Sequence, residues 1–530
     1  MVQTSYSPSE LDLLQATVLG LRLQTKSPLH NPIRGEVLSS LIRGELDQYK
    51  PTHRGIDLCD ALIIGEIDLS ATQIKFPITL LGCEVRGTIY IRDSNLLSLN
   101  LEGSTIGGLQ GDLAEIRGMM TMSKGFLSIG KVTLSGATVG GALYCAGGHF
   151  ESPLEIYRAK LLGDCFLGET DANDGECAEF SAADGVYLNG STIGGSVYCR
   201  GAKFAVRETS NNRHNIALSF ANTTIGDTLS MKGLKGLAGL IDLSGATMDK
   251  LCDAVEEHIL SPPPAVREAF PGSPHYLAGY RRGNARQNCF ILDGCVFRRL
   301  VNCESNLRIR QRILESQIVE DLSADFKPQP WEQMIRVLRE MGHVSTASAL
   351  AIEKQENLRR AGKVKWPRIH AVFGHFTGYG YKPSRALVWL SVVLIISALL
   401  YETGYRHGVI VPAKAVLQTH VANLKCELGA MDMKPGCYVG PMPSSNFSAL
   451  MYSADYLFPF IDFQQRKEWS PAVIIATDRV AGASTTVTYA STQESLFGRF
   501  MRILTWLETI VGWIATGVLA AIVGGLIKRD

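Results

Sequence analysis

A seventeen-residue phrase occurs twice and constrains the fold more than any other feature of this chain. From Leu134 to Phe150 it reads LSGATVGGALYCAGGHF, from Leu188 to Phe204 LNGSTIGGSVYCRGAKF, and nine positions are identical. Shorter echoes begin at Leu101, Phe220 and Leu243, and looser ones at Leu69 and Leu292. Small and apolar residues alternate within each copy, as in Ala137 with Val139, Leu143 with Cys145, and Val197 with Cys199. A period of two over a short run predicts strands. Gly140-Gly141 and Gly194-Gly195 interrupt the runs, and glycine admits the positive-φ corners that a coiling chain needs. One copy cannot bury its apolar face alone, whereas stacked copies can. The phrase therefore predicts a β-solenoid, with Cys145 and Cys199 as rungs of one interior ladder. The irregular spacing of the copies disfavours a propeller, whose period would be roughly 40–50 residues.

The rest of the chain arranges itself around that core. Residues 1–52 predict a helical N-terminal cap. Ser7 suits an N-cap, with Pro8 at the first helical position and Glu10 three residues on. Leu11, Leu14, Val18 and Leu21 form one apolar stripe, and Val37, Leu38, Leu41 and Ile42 a second. Such a cap would cover the unpaired strand groups at one end. The solenoid is expected over 53–314, with loop insertions near 171–184, 205–217 and 255–290. The last carries Pro262-Pro263-Pro264 and the basic cluster Arg281, Arg282 and Arg286. Over 327–362 the period changes to about 3.6. Trp331, Ile335, Leu338 and Met341 share a face before Gly342, and Ala347, Leu350 and Ala351 share one after it, which predicts a helical hairpin.

Two apolar runs follow a basic approach at 363–385. Ala386–Tyr401 holds sixteen uncharged residues and Thr509–Ile527 nineteen. A bilayer span takes ~20 predominantly apolar residues, so transmembrane helices are expected at 386–405 and 503–527. From Lys354 to Arg385 there are eight Lys or Arg against one acid, Glu356, and Lys528-Arg529 follows the second run. The positive-inside rule puts both flanks in the cytoplasm. The expectation is a two-pass protein of the cell inner membrane, with the solenoid and both termini cytoplasmic. The opening residues, MVQTSYSPSELDLLQ, lack a signal peptide's basic start and apolar core. Residues 406–502 are then extracytoplasmic, which makes Cys426 and Cys437 a candidate disulfide pair. Gly517, Ala521 and Gly525 lie at i, i+4 and i+8, a spacing that lets helices approach closely. Glu508 is expected at the outer edge of the second span, snorkelling to the interface.

Complete catalytic constellations are absent from the sequence. Gly125–Val132, GFLSIGKV, approximates a phosphate-binding loop, but Val132 stands where a metal-binding hydroxyl belongs. No GxGxxG opens a βαβ unit, and HExxH, GxSxG and spaced Cys/His zinc sets are missing. Cys289, Cys295 and Cys303 are spaced like rungs, and the ten cysteines before residue 304 read as small buried hydrophobes. His370 and His375 read as interfacial residues. No catalytic residue, cofactor or metal ligand is assigned. A net charge of +1 gives no global field for nucleic acid. GYGY at Gly378–Tyr381 lies outside the spans and reads as a turn. Phe447–Phe463 is aromatic and carries only Asp455 and Asp462 as charges. A helix broken at Pro459 would resemble a re-entrant pore segment, where rings of Asp select cations. The alternative is a segment packed on the outer face of the membrane.

The phrase at Leu134 and Leu188, FTGYGYKPSRAL at Phe376–Leu387, FSALMYSADYLFPFIDF at Phe447–Phe463 and WIATGVLAAIVGGLIKRD at Trp513–Asp530 carry a resemblance over nearly the full length. The chain resembles a group of largely uncharacterised bacterial membrane-associated proteins with pentapeptide-like β-helix repeats and two C-terminal transmembrane helices. The resemblance implies a mainly β fold: a right-handed-type β-helix with a helical N-terminal cap, a helical hairpin and two transmembrane helices. Members often bear the label "oxidoreductase", with no catalytic residues to carry over. Three functions are thus expected in order: a membrane-anchored binding scaffold or sensor without catalysis, an oligomeric channel built on 447–463, and a membrane-associated oxidoreductase. The expected partners are the lipid bilayer, a protein bound on the solenoid or its inserted loops, and a second copy through the transmembrane helices.

Overall fold

A computed structural model describes residues 6–25, 31–169, 179–207, 216–253, 290–301, 307–315, 326–413, 445–472, 474–476, 492–494 and 496–524. The chain divides into two compact units, 1–363 and 364–530.

The first unit is built on short parallel strands. The chain gives two strands to one sheet, then two to the other, and returns. Each strand pairs with the one a layer further on, so Thr138 lies beside Lys160, 22 residues ahead, and Lys160 beside Thr192. In the second sheet Leu127 pairs with His149, His149 with Ser181, and Ser181 with Lys203. In-register stacking puts like residues above one another. Phe126, Phe150, Phe180 and Phe204 form a buried ladder with ring centroids 5.5, 5.6 and 5.6 Å apart. Tyr144, Phe166 and Tyr198 form a second ladder, at 4.8 and 5.3 Å.

The expected right-handed-type β-helix, the pentapeptide-like solenoid, is corrected at this point. The described strands fall into two large parallel sheets of 16 strands each, with helices beside them, a layout resembling α/β packing rather than a closed coil. The reason is where the hydrogen bonds run. Every strand pair lies within one sheet, and the longer strands Thr105–Gln110 and Thr224–Ser230 widen their own sheets by pairing with two successive strands of a neighbouring layer. Among the described residues no ladder joins one sheet to the other, so they form two separate sheets.

The glycine pairs also act differently from expectation. Positive φ falls at Gly136 (67°) and Gly190 (69°), not at the pairs. At Gly140 an added Cβ would stand 2.1 Å from the Arg117 carbonyl oxygen, and at Gly194 2.4 Å from that of Leu162. Those glycines are required by the layer beneath them.

Helices and side-chain amides close the ends. Ser7 and Glu10 form a reciprocal capping box on the helix Pro8–Leu19. The Glu10 side chain is buried and also accepts from Arg34 Nε at 2.8 Å. This turns the stripe: Leu13, Leu14 and Thr17 are buried, while Leu11, Val18 and Leu21 are exposed. The capping carboxylate fixes which face points inward. The helix Gly35–Ile42 buries Val37, Leu38, Leu41 and Ile42. At the other end, Gln329 accepts from Gly294 N–H at 2.9 Å and donates to the Cys295 carbonyl at 3.1 Å. Gln333 donates to the Phe297 carbonyl. These amides come from the helix Gln329–Glu340, which turns at Gly342 into Val344–Arg360. They satisfy the edge groups that an unpaired final strand would expose. Asp253 and Arg310 form a buried ion pair nearby.

Two long helices of the second unit, Pro383–Arg406 and Leu496–Ile522, are long and apolar enough to cross a membrane, with mean hydropathies of 2.0 and 1.6. Both start ahead of the expected spans. Between them lie the short helices Ala449–Leu457 and Gln465–Glu468, and Ile410–Pro412 pairs antiparallel with Trp469–Pro471.

Burial opposes ionisation of Glu10, but its bonds to Arg34 and to the Ser7 and Arg34 amides outweigh it and hold the carboxyl below its usual range. A depressed carboxyl stabilises the fold above its unfolded value, and that stabilisation is lost as pH falls through the folded value. Glu10→Gln is expected to cost about 1–2 kcal/mol near neutral pH and to flatten the acid limb of a stability profile followed by circular dichroism. Burial pushes the thiols of Cys83, Cys165 and Cys295 up to about 12. A thiolate-seeking reagent is expected to modify these three only on denaturant unfolding, as peptide mass mapping would reveal.

Candidate functional site

Three helices of the second unit enclose a polar group in an apolar setting. The helix Ala449–Leu457 packs against both long helices. Its approach to the second is set at Gly512, where an added Cβ would lie 2.2 Å from the Leu457 carbonyl oxygen. Tyr401, Val409, Ile410, Tyr452, Trp469 and Met501 form the buried apolar cluster of this unit. The Tyr401 and Tyr452 rings meet edge to face with centroids 4.9 Å apart.

Glu508 is buried beside that cluster, only 3% exposed. Tyr401 donates its hydroxyl hydrogen to Glu508 Oε2 at 2.8 Å, and Ser453 bonds Oε1. Ser397, on the first long helix, is buried and faces the same carboxyl. The sequence placed Glu508 at the edge of a span because the uncharged run begins at Thr509. The helix begins at Leu496, which puts Glu508 near its middle. The missed signal was upstream: Met501, Leu504 and Thr505 already continue the helical stripe through Glu508, at seven, four and three residues before it.

The residues singled out in the sequence lie as follows. Asp455 is fully buried at the end of the short helix. Its Oδ1 accepts from the Phe463 N–H and its Oδ2 from the Arg466 N–H at 3.1 Å. Pro459 stands in the turn just after the helix. Asp462 is on the outside of that turn, bonded to the Gln464 N–H at 2.9 Å and paired with Lys467. Asp455 and Asp462 therefore serve one loop, and the structure brings neither to the Glu508 carboxyl. Nothing approaches the Cβ position of Gly517 within 4 Å, and Ala521 is half-buried. Gly525, Cys426 and Cys437 lie outside the described residues, as do most of the insertions near 171–184, 205–217 and 255–290. His370 stacks near Tyr379, with centroids 4.5 Å apart, and His375 sits against Trp389 at 5.5 Å.

Gly512→Leu is expected to push the short helix off the second long helix and to cost about 1–3 kcal/mol. Gly517→Leu is expected to leave the monomer unchanged. Thermal unfolding of the two variants in the same detergent measures the difference. No family model, curated protein or solved structure matches this chain.

Proposed function

We propose that this is a two-pass protein of the cell inner membrane whose residues 1–363 act as a cytoplasmic, non-catalytic binding scaffold. The observation that carries the membrane reading is the outer surface of the two long helices. Leu387, Val388, Ile395 and Leu399 on the first, and Trp506, Ile510, Trp513 and Ile514 on the second, are exposed. So much apolar surface needs a cover, and apolar lipid chains match it. The orientation rests on charge. Lys365, Arg368 and Lys382 precede the first helix, Arg385 lies in its first turn, and Lys528-Arg529 follow the second.

What supports a scaffold is surface rather than chemistry. Leu97, Met119 and Leu162 are 39%, 58% and 63% exposed. They belong to three of four consecutive strand-to-strand corners of one sheet, with Gly140-Gly141 as the corner between Met119 and Leu162, and the corners are linked by Gly118 N–H to Leu97 O, Gly141 N–H to Gly118 O, and Gly163 N–H to Gly141 O. A row of apolar side chains on a rigid edge suits a protein partner. The channel reading has less support: the Asp455 oxygens are occupied by backbone N–H groups of their own loop. The oxidoreductase reading rests on the resemblance alone.

Protease added to right-side-out and inverted membrane vesicles tests the topology. Digestion of residues 1–363 in inverted vesicles only is expected, and digestion in right-side-out vesicles would overturn the orientation. The triple variant L97S/M119S/L162S is expected to fold and insert normally and to lose at least tenfold of its partner capture in a crosslinking assay. Unchanged capture would remove that edge as the binding surface.

A further inference from the structure

Taking a carboxylate out of water is costly unless a countercharge or a proton neutralises it. Glu508 is nearly inaccessible, and among the described residues no cation is paired with it. Among the described residues its hydrogen-bond partners are hydroxyls, Tyr401 Oη at 2.8 Å and Ser453 Oγ, with Ser397 facing it from the first long helix. The titratable groups facing it are Tyr401 from the first long helix and Tyr452 and Tyr456 from the short helix. Phenols ordinarily titrate about 5–6 units above carboxyls. Asp455, also on the short helix, directs both oxygens at the Phe463 and Arg466 amides, and the Arg466 guanidinium donates to the Asp455 carbonyl at 3.4 Å. On the helix that carries Glu508, Arg502 donates to the Pro471 carbonyl at 3.4 Å. Of the two buried carboxyls, Glu508 is the one held by hydroxyls, which can donate or accept, whereas Asp455 is held by backbone N–H groups, which only donate.

We propose that Glu508 is a proton-binding site within the packed helices, with the Ser453 hydroxyl as its switchable partner. Both protonation states are satisfied by atoms already in place. When ionised, Glu508 accepts from the Ser453 and Tyr401 hydroxyls. When protonated on Oε1, it donates to Ser453 Oγ, whose own hydrogen turns to the Leu394 carbonyl oxygen 3.4 Å away. Tyr401 donates to Oε2 in either state. One proton is taken up, no bond between heavy atoms changes, and the short helix that bears Ser453 senses the change directly. The inference goes beyond the scaffold reading and does not depend on it.

Infrared difference spectra of the full chain in lipid nanodiscs, titrated from mildly acidic to alkaline pH, read the site. A carboxylic-acid carbonyl band is expected that disappears with one transition as pH rises and is missing from Glu508→Gln. The amide can donate to Ser453 and accept from Tyr401, so it mimics the protonated state. Ser453→Ala removes a donor to the ionised form and is expected to tighten proton binding about tenfold, moving the transition upward. A band that never titrates, no band at any pH, a titrating band that persists in Glu508→Gln, or an unmoved midpoint in Ser453→Ala would each overturn the proposal. Should the amide variant fail to fold, the Ser453→Ala midpoint decides alone. A negative spectrum leaves the vesicle protease result untouched, so the two readings fail separately.

Discussion

The first unit depends on a demand made by very short strands. A two-residue strand cannot satisfy its own amides, so each must find a carbonyl one layer along, in parallel register. Because Thr138, Lys160 and Thr192 share one column, each layer inherits the steric limits of the layer below. A column that admits a phenylalanine at Phe150 admits one at Phe180 and Phe204. In another column Gly140 and Gly194 pass too close to the carbonyls of Arg117 and Leu162 to carry a Cβ, so from Arg117 to Gly194 layers with a side chain alternate with layers that need glycine. The near-identity of the two phrases reads as a record of this stacking. The end structures answer the same demand by other means, with Gln329 and Gln333 supplying amide groups where no further strand follows.

How much of this was legible follows from which interactions are local. Alternation within each phrase is local, and it marked the strands. The capping box of Ser7 and Glu10 is local too, and the helix starts there. The direction in which that helix faces is not local: Arg34 decides it by holding Glu10 inward, against the stripe that Leu11 and Val18 suggested. The division of strands between two sheets is likewise invisible in a period of two, because alternation says which side chains are buried and not which strand accepts the bonds. The closed coil expected from the phrase failed on that point.

The second unit shows the same limit for a site. Composition found two long apolar helices, since hydropathy is additive along the chain. It treated Glu508 as a boundary because a charge interrupts the run. The hydroxyls that receive the carboxyl come from two other helices, through Tyr401 and Ser453, and no spacing rule connects them. Gly517 and Ala521 carried the expected small-residue pattern, yet the close approach is made at Gly512, chosen by the position of Leu457 on another segment.

The helix Ala449–Leu457 has nine residues. At about 1.5 Å per residue it rises ~14 Å, near half the thickness of a bilayer's hydrocarbon core. The chain doubles back after it, and the turn leaves backbone N–H groups without helical partners. Asp455 answers for two of them, the Phe463 and Arg466 amides, and Glu468 for the Ser445 amide at 3.0 Å. The returning loop thus carries its own acceptors in the form of carboxylate oxygens, and its shape is held by acids folded into it rather than by water.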